Sequence, residues 1–240
     1  MSTKLEEIQT LARFYHQQLC REFGSEAVAA GGNLFLGKYY AASRKIFLSL
    51  NPGTYRAGDI KPFVVKPREH NGPWGNPSSE FAFWRNCTFF FSCPSGLADW
   101  IEDATSTFVI PWRSRSLNEL RNRSELWKRI RVYSRELLRK MVEHHHAKTL
   151  IVSGVETVKI VADFLGFPLN SQTIEYRFDG AGYRPYGIYQ WMRVDPSNSG
   201  IEGLVGETII YQVPHFSRAT SKKALRECAS WLWANISTSQ

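Results

Sequence analysis

Ile46-Phe47-Leu48-Ser49-Leu50-Asn51-Pro52-Gly53 is the stretch on which the reading of this chain turns. An apolar run that stops at Asn-Pro-Gly must leave a sheet through a tight turn, with an amide side chain at its tip. In open α/β sheets, ligands bind beyond the carboxyl ends of the strands, where loops on a rigid scaffold bring functional groups together. Taken alone, the stretch is equally a strand followed by an ordinary Pro-Gly turn. What the other strands deliver to the same edge decides between the two.

Upstream, Thr3-x-x-Glu6 forms a capping-box pattern, and Leu5, Ile8, Leu11, Ala12, Tyr15 and Leu19 follow at helical spacing, which predicts an amphipathic helix ending near Gly24. Residues 1–43 are thus an N-terminal helical extension, with Gly31 and Gly32 marking a loop before a strand from Lys45 to Leu50. Downstream, the 29 residues from Asn51 to Ser79 hold five prolines and four glycines, a loop far longer than the usual 4–6 residues. With Phe63, Val64, Val65 and Trp74 inside it, this loop is expected to be an ordered pocket wall. A short helix then carries Phe81, Phe83, Trp84 and Cys87, with Phe89-Phe90-Phe91 at its end.

Thr107 to Pro111 is the second expected strand. Ser116-x-x-Glu119 caps a helical start, and Ser124 to His146 places Leu126, Ile130, Tyr133, Leu137, Leu138 and Met141 on one face and basic residues on the other. A strand at Thr149–Val152 turns at Ser153-Gly154 into a helix from Val155 to Leu165, a βαβ pattern that implies a parallel sheet. Residues 168–206 shift to Gly, Pro, Tyr and Arg, with alternating stretches at Thr173–Phe178 and Ile188–Val194, and are expected to form a hairpin-like insertion. Thr208–Val213 is a fourth strand ending at Pro214-His215-Phe216-Ser217-Arg218, and a last helix follows, capped by Thr220 or Ser221. The fold class is α/β: one domain over 1–240, a three-layer sandwich with a central, mostly parallel four-stranded sheet flanked by helices.

Composition bounds the function. At 43% hydrophobic the 240-residue chain is globular, and no apolar run approaches the roughly 20 residues of a membrane helix. Without a secretory pattern at the start, a soluble, cytoplasmic protein is expected. Cys20, Cys87, Cys93 and Cys228 are scattered with no Cys-x-x-Cys spacing, which argues against a zinc ribbon or iron–sulfur cluster. Consecutive His144-His145-His146 point to different helix faces and suit a helix C-terminus, so neither a metal nor another cofactor is expected. A formal charge of +8, with ten Lys and Arg between Arg113 and Lys140 against three Glu, favours a polyanionic partner. These cations are either a phosphate-tracking surface or the solvated face of an amphipathic helix.

Two turns carry the chemistry: Leu50-Asn51-Pro52-Gly53 and Pro214-His215-Phe216-Ser217. An amide and an imidazole brought to one crevice can orient a water molecule and stabilise charge on a departing group. This pairing resembles the uracil-DNA glycosylase superfamily, whose mismatch-specific and single-strand-selective branches carry Gly-x-Asn-Pro-Gly early and a His-Pro-Ser motif late. Phe83-Trp84-Arg85-Asn86 is similar to the Phe-Trp-Lys/Arg helix of the mismatch branch, and Leu150-Ile151-Val152-Ser153-Gly154 to the family's Gly-ended strand.

The resemblance implies hydrolysis of an N-glycosidic bond in DNA, with the target nucleotide flipped into a pocket and an abasic site left behind. Asn51 would hold the attacking water, and His215 would donate to an oxygen of the leaving base. Pro52, Gly53, Phe108 and Ser153 would contact the substrate, and one of Phe89, Phe90 and Phe91 would stack on the flipped base. Arg113, Arg115, Ser217 and Arg218 would contact DNA, with Arg218 or Phe216 placed to probe the duplex. The protein would act as a monomer without an obligatory protein partner.

The sequence departs from the family at three places. Ser49 stands where Gly is usual, His-Phe-Ser replaces His-Pro-Ser, and the run Thr107–Trp112 lacks the Asn with which many members read uracil. With the long wall, this points to a modified or non-standard pyrimidine, such as a hypermodified phage cytosine, and to defence or repair. Lys61, Lys66, Arg68, Glu69, His70 and Asn71 could contact such a substituent, or could be the ordinary polarity of a loop. The alternative is a non-catalytic DNA-binding protein on the same fold.

Overall fold

The computed structural model of the protein describes residues 3–52, 61–69, 74, 81–114, 116–166, 173–177, 188–194, 208–216 and 222–237, with backbone alone for 173–177 and 188–194. In chain order the elements are α1 (Lys4–Phe23), a 3-10 turn (Ser25–Val28), β1 (Gly32–Asn33), β2 (Lys45–Ser49), β3 (Phe63–Val64), α2 (Ala82–Ser92), α3 (Ser95–Ile101), β4 (Thr105–Phe108), α4 (Leu117–Arg121), α5 (Ser124–His145), β5 (Thr149–Ser153), α6 (Val155–Leu165), β6 (Thr173–Arg177), β7 (Ile188–Val194), β8 (Thr208–Val213) and α7 (Lys222–Ser237).

The apolar run of β2 explains the layering. Ile46, Phe47 and Leu48 are all fully buried, as in a parallel strand covered on both faces. Successive side chains point to opposite faces of a strand, and the two faces feed different cores. Ile46 and Leu48 join Leu150, Val152 and Ile210 in a cluster closed by α1, α5 and α6. Phe47 joins Ile151, Tyr211 and Val213 in a second cluster closed by α2, α3 and α7. The cross-strand register agrees, since Ile46 pairs Leu150 and Leu150 pairs Ile210, while Phe47 pairs Ile151 and Ile151 pairs Tyr211. Two helical layers therefore sandwich one sheet.

The sheet has the order β4-β2-β5-β8-β7-β6. Its first four strands are parallel, as expected, and β7 and β6 continue it as an antiparallel pair beyond β8. The strands Thr173–Arg177 and Ile188–Val194, which fall in the two alternating stretches, thus extend the sheet.

The second strand is displaced from the expected Thr107–Pro111 to Thr105–Phe108. Thr105, Ser106 and Thr107 are all buried, and the segment Asn33–Tyr40 runs beside them and bonds the two threonine hydroxyls, while Ser106 Oγ has no hydrogen-bond partner among the described residues. Thr107 Oγ1 donates to the Leu34 carbonyl at 2.6 Å, and Thr105 Oγ1 accepts from Tyr40 N at 2.9 Å. Val109 and Ile110 follow the strand, their amides still donating to Ser49 and Leu50 carbonyls at 2.8 Å. Residues 33–40 are therefore bound into the fold along β4, and are more than the helical extension expected of 1–43.

Thr3 and Glu6 close the predicted capping box on α1. That helix packs on α5 through a stacked Tyr15–Tyr133 pair 4.1 Å apart, and Tyr15 also donates to Glu136. At the end of α5, His145 is buried and donates through Nδ1 to the Ser43 carbonyl at 2.8 Å, with burial holding its pKa below the ordinary value. Among the described residues no helix is long and apolar enough to cross a membrane, and no His, Cys, Asp and Glu group could hold a metal ion.

Candidate functional site

Because β4, β2, β5 and β8 are parallel, their carboxyl ends open on one edge of the sheet. Four turns meet there: Val109–Ser114 after β4, Leu50-Asn51-Pro52 after β2, Gly154 after β5 and Pro214-His215-Phe216 after β8. A cavity of about 830 Å³ occupies this edge. Asn51 and His215, 164 positions apart in the sequence, both line it, with Ser49, Pro52, Phe108, Arg113 and Ser114. The early and late turns predicted to act together are thus brought to one cavity.

Asn51 is oriented by its neighbour. Its Nδ2 donates to Ser114 Oγ at 2.8 Å and more weakly to the Ser114 carbonyl at 3.4 Å. Ser114 is 2% exposed, so this anchor is fixed. With the amide nitrogen committed, the amide oxygen is left as the acceptor.

The late turn is stitched to its neighbours on both sides. Ser153 Oγ donates to the Pro214 carbonyl and Gly154 N to the Val213 carbonyl, both at 2.9 Å. Asn86 Nδ2 from α2 donates to the Phe216 carbonyl at 2.9 Å, and Phe83 meets the Phe216 ring edge-on at 6.0 Å. The Phe-Trp-Arg-Asn helix therefore holds the turn that carries His215. The imidazole itself rests on Gly154, whose φ of +91° suits glycine, and a Cβ there would lie 3.0 Å from His215 Cδ2.

Several predicted contacts fall elsewhere. Phe91 is fully buried among Phe47, Trp74, Phe90 and Phe216, and is core. Phe89 packs on the second cluster with Lys222 and Arg226 of α7 over its ring, 5.5 and 5.9 Å from the centroid, away from the cavity. The aromatic rings that do line the cavity are Phe81, Phe83, Trp84 and Phe108. Ser153 is 1% exposed with its hydroxyl committed to Pro214, which makes it a brace for the turn and removes it from substrate contact. Phe216 is fully buried and cannot probe a duplex. Gly53, Arg115, Ser217 and Arg218 lie outside the described residues, as does most of the expected loop wall. Of that wall, Val65 is buried, Trp74 packs on Phe47, and Arg68 lines the cavity.

Electrostatically the cavity is basic. Arg121 is paired with Glu156 at 2.5 Å, and both line the cavity. Arg113, expected to contact DNA, lines the cavity and shares an acceptor with Arg68. The buried Asn33 amide, turned so that its oxygen meets donors, accepts from Arg113 at 2.9 Å and from Arg68 at 3.3 Å. Burial first, and then the neighbouring Arg113 charge, hold the Arg68 pKa below the ordinary arginine value.

On α5, Lys128, Arg129 and Arg131 are paired with Glu125, Glu22 and Asp163, which reduces the charge that helix offers to a phosphate backbone. In sequence comparisons, no protein-family model matches the chain and no curated protein matches it significantly.

Proposed function

We propose that the protein is a DNA glycosylase that hydrolyses the N-glycosidic bond of a flipped, modified pyrimidine nucleotide. The observation that carries this reading is the meeting of Asn51 and His215 at one cavity, each held by a dedicated neighbour, Ser114 and Gly154.

The chemistry follows from the groups present. The Asn51 amide oxygen accepts a hydrogen bond from water and presents the water's lone pair to C1′ of the deoxyribose. An amide is no general base, so the glycosidic bond breaks ahead of attack, through an oxocarbenium-like sugar. Negative charge then grows on the leaving base, and His215 donates to its oxygen as it does so. Water completes the sugar hydroxyl at C1′, and the proton it loses balances the anion of the departing base. Phe108 and the aromatic residues at the start of α2 supply flat surfaces beside the base.

The cavity volume, in the upper part of the roughly 300–1,000 Å³ usual for ligand sites, favours a base larger than uracil. Phe108 lies on the run Thr107–Trp112, which has no Asn to read uracil, and this argues against uracil itself.

The test is to incubate the protein with genomic DNA and oligonucleotides carrying unmodified, hydroxymethylated and glycosylated cytosine, and uracil, and then cut abasic sites with alkali. Cleavage confined to a modified pyrimidine, and lost in Asn51→Ala and His215→Ala, is expected. DNA binding with no abasic product on any substrate would sink the reading and leave a non-catalytic DNA-binding protein.

A further inference from the structure

Among the described residues three guanidiniums and one carboxylate line the cavity, and the carboxylate, Glu156, is taken by Arg121. Arg68 and Arg113 are left with no carboxylate among the described residues. The oxygen they share belongs to a neutral amide, Asn33, and Arg113 Nε is buried without a hydrogen-bond partner among the described residues.

Two like charges brought together in a half-buried cavity repel, and a buried charge without a partner is costly. The fold nonetheless brings them there. A Cβ on Gly32 would lie 2.2 Å from the Pro111 carbonyl, so only glycine lets β1 run close enough to place Asn33 beside Arg113. Asn33 N in turn donates to that carbonyl at 2.9 Å, and Arg113 N to the Gly31 carbonyl at 3.1 Å. From the other side Arg68 N donates to the Gly37 carbonyl at 3.0 Å. A pair of planar, five-donor forks braced in this way matches the geometry of a carboxylate or phosphate, whose charge offsets the repulsion.

We propose that Arg68 and Arg113, braced on Asn33, form a subsite for an anionic oxygen group, a phosphate or carboxylate, carried by the molecule that enters the cavity. The subsite requires only an anion and holds whether or not the bond cleavage proposed above occurs. The anion has two possible positions, a phosphate on the sugar or a carboxylate on the base, and both present the same oxygens to the pair.

The test is direct binding by calorimetry at constant ionic strength, with no turnover required. The probes are inorganic phosphate, a pyrimidine deoxynucleoside, its 5′-monophosphate, and the same nucleoside carrying a carboxylate on the base. At least one charged nucleoside is expected to bind tenfold or more tightly than the neutral one, and the one that gains identifies where the anion sits. Arg68→Gln and Arg113→Gln should each lose about tenfold for that probe, and Arg135→Gln, on the exposed face of α5, should lose nothing. Inorganic phosphate should raise the melting temperature of the wild type above that in chloride, and should do so less in either variant. Because each Gln variant removes a repulsion, its own melting temperature should not fall by more than a degree or two; Arg113→Lys keeps the charge without the fork and serves if Gln does not fold. Equal affinity for charged and neutral nucleosides, or undiminished binding in both variants, would overturn the proposal.

Discussion

The imidazole of His215 rests on the backbone of Gly154, so close that a β-carbon at residue 154 would come within 3.0 Å of Cδ2 and 3.2 Å of the histidine's own Cβ. One glycine therefore does two things: it takes a backbone conformation with φ +91° and ψ 147°, and it leaves the space in which the ring lies. Conformations of this kind are close to glycine-only and cost other residues about 1–3 kcal/mol. Gly154→Ala is expected to lower the melting temperature and to reduce abasic-site formation at least tenfold. Single-turnover assays well below the variant's melting temperature separate the two effects.

Ser114 acts through Asn51. Removing its hydroxyl leaves the Asn51 amide held by the weaker carbonyl contact alone, a loss on the order of 1 kcal/mol. On the proposed mechanism, Ser114→Ala should therefore lower kcat several-fold with little change in KM, whereas Asn51→Ala, which would remove the water's acceptor, should cost about 10²–10³ in kcat. Ser114→Thr, which restores the hydroxyl, should recover most of the loss. A larger effect from Ser114→Ala than from Asn51→Ala would show that Ser114 itself meets the substrate.

Gly96 in α3 faces Trp233 in α7, and a Cβ there would lie 2.2 Å from the ring. Gly96→Ala must displace a large aromatic ring, an overpacking cost of about 1–3 kcal/mol. Urea unfolding should show a lower midpoint with an unchanged slope, and activity per folded molecule should stay constant, since this contact lies in the helical layer and not at the cavity.

Stability should fall on mild acidification. Burial lowers the pKa of His145, and likewise of His16 and His144, so the native state resists a proton that the unfolded chain takes up near the ordinary value of about 6.5. The unfolded state then binds more protons, and the stability present above pH 6.5 is lost as pH falls toward the native pKa values. The Ser43 carbonyl opposes the shift at His145 without reversing it. For His145 the slope is at most about 1.4 kcal/mol per pH unit. His145→Gln should flatten the fall in melting temperature between pH 6.5 and 5, and an equally steep fall would assign the effect to other groups.

Three of the four parallel strands are legible in the sequence because each announces itself physically. β2 and β5 are short continuous apolar runs, the pattern of strands buried on both faces, β8 is an apolar run broken by Gln212, and the three lead into Asn-Pro, Ser-Gly and Pro-His. β4 reads two to three residues too late in the sequence because Thr105-Ser106-Thr107 looks like surface while Val109-Ile110 looks like strand. Only the neighbouring segment 33–40, which bonds the Thr105 and Thr107 hydroxyls, makes the difference, and that pairing spans some seventy residues of sequence. Phe89, Phe90 and Phe91 posed the opposite difficulty. Three adjacent aromatics on a helix point three ways, and composition does not say which way is inward. The Arg68–Arg113 pair was invisible for a related reason, since it depends on Gly31-Gly32 bringing Asn33 between two loops from distant parts of the chain.

The antiparallel pair β6–β7 gives the sheet a rim beyond β8. Without it β8 would be the outermost strand, its free peptide groups open to recruitment by any extended chain. With β7 along one flank and β5 along the other, the strand that ends at His215 is an interior member of the sheet. The hairpin thus works as a selvedge: fraying or strand exchange at that side consumes β6 first, and the turn presenting His215 keeps its anchorage.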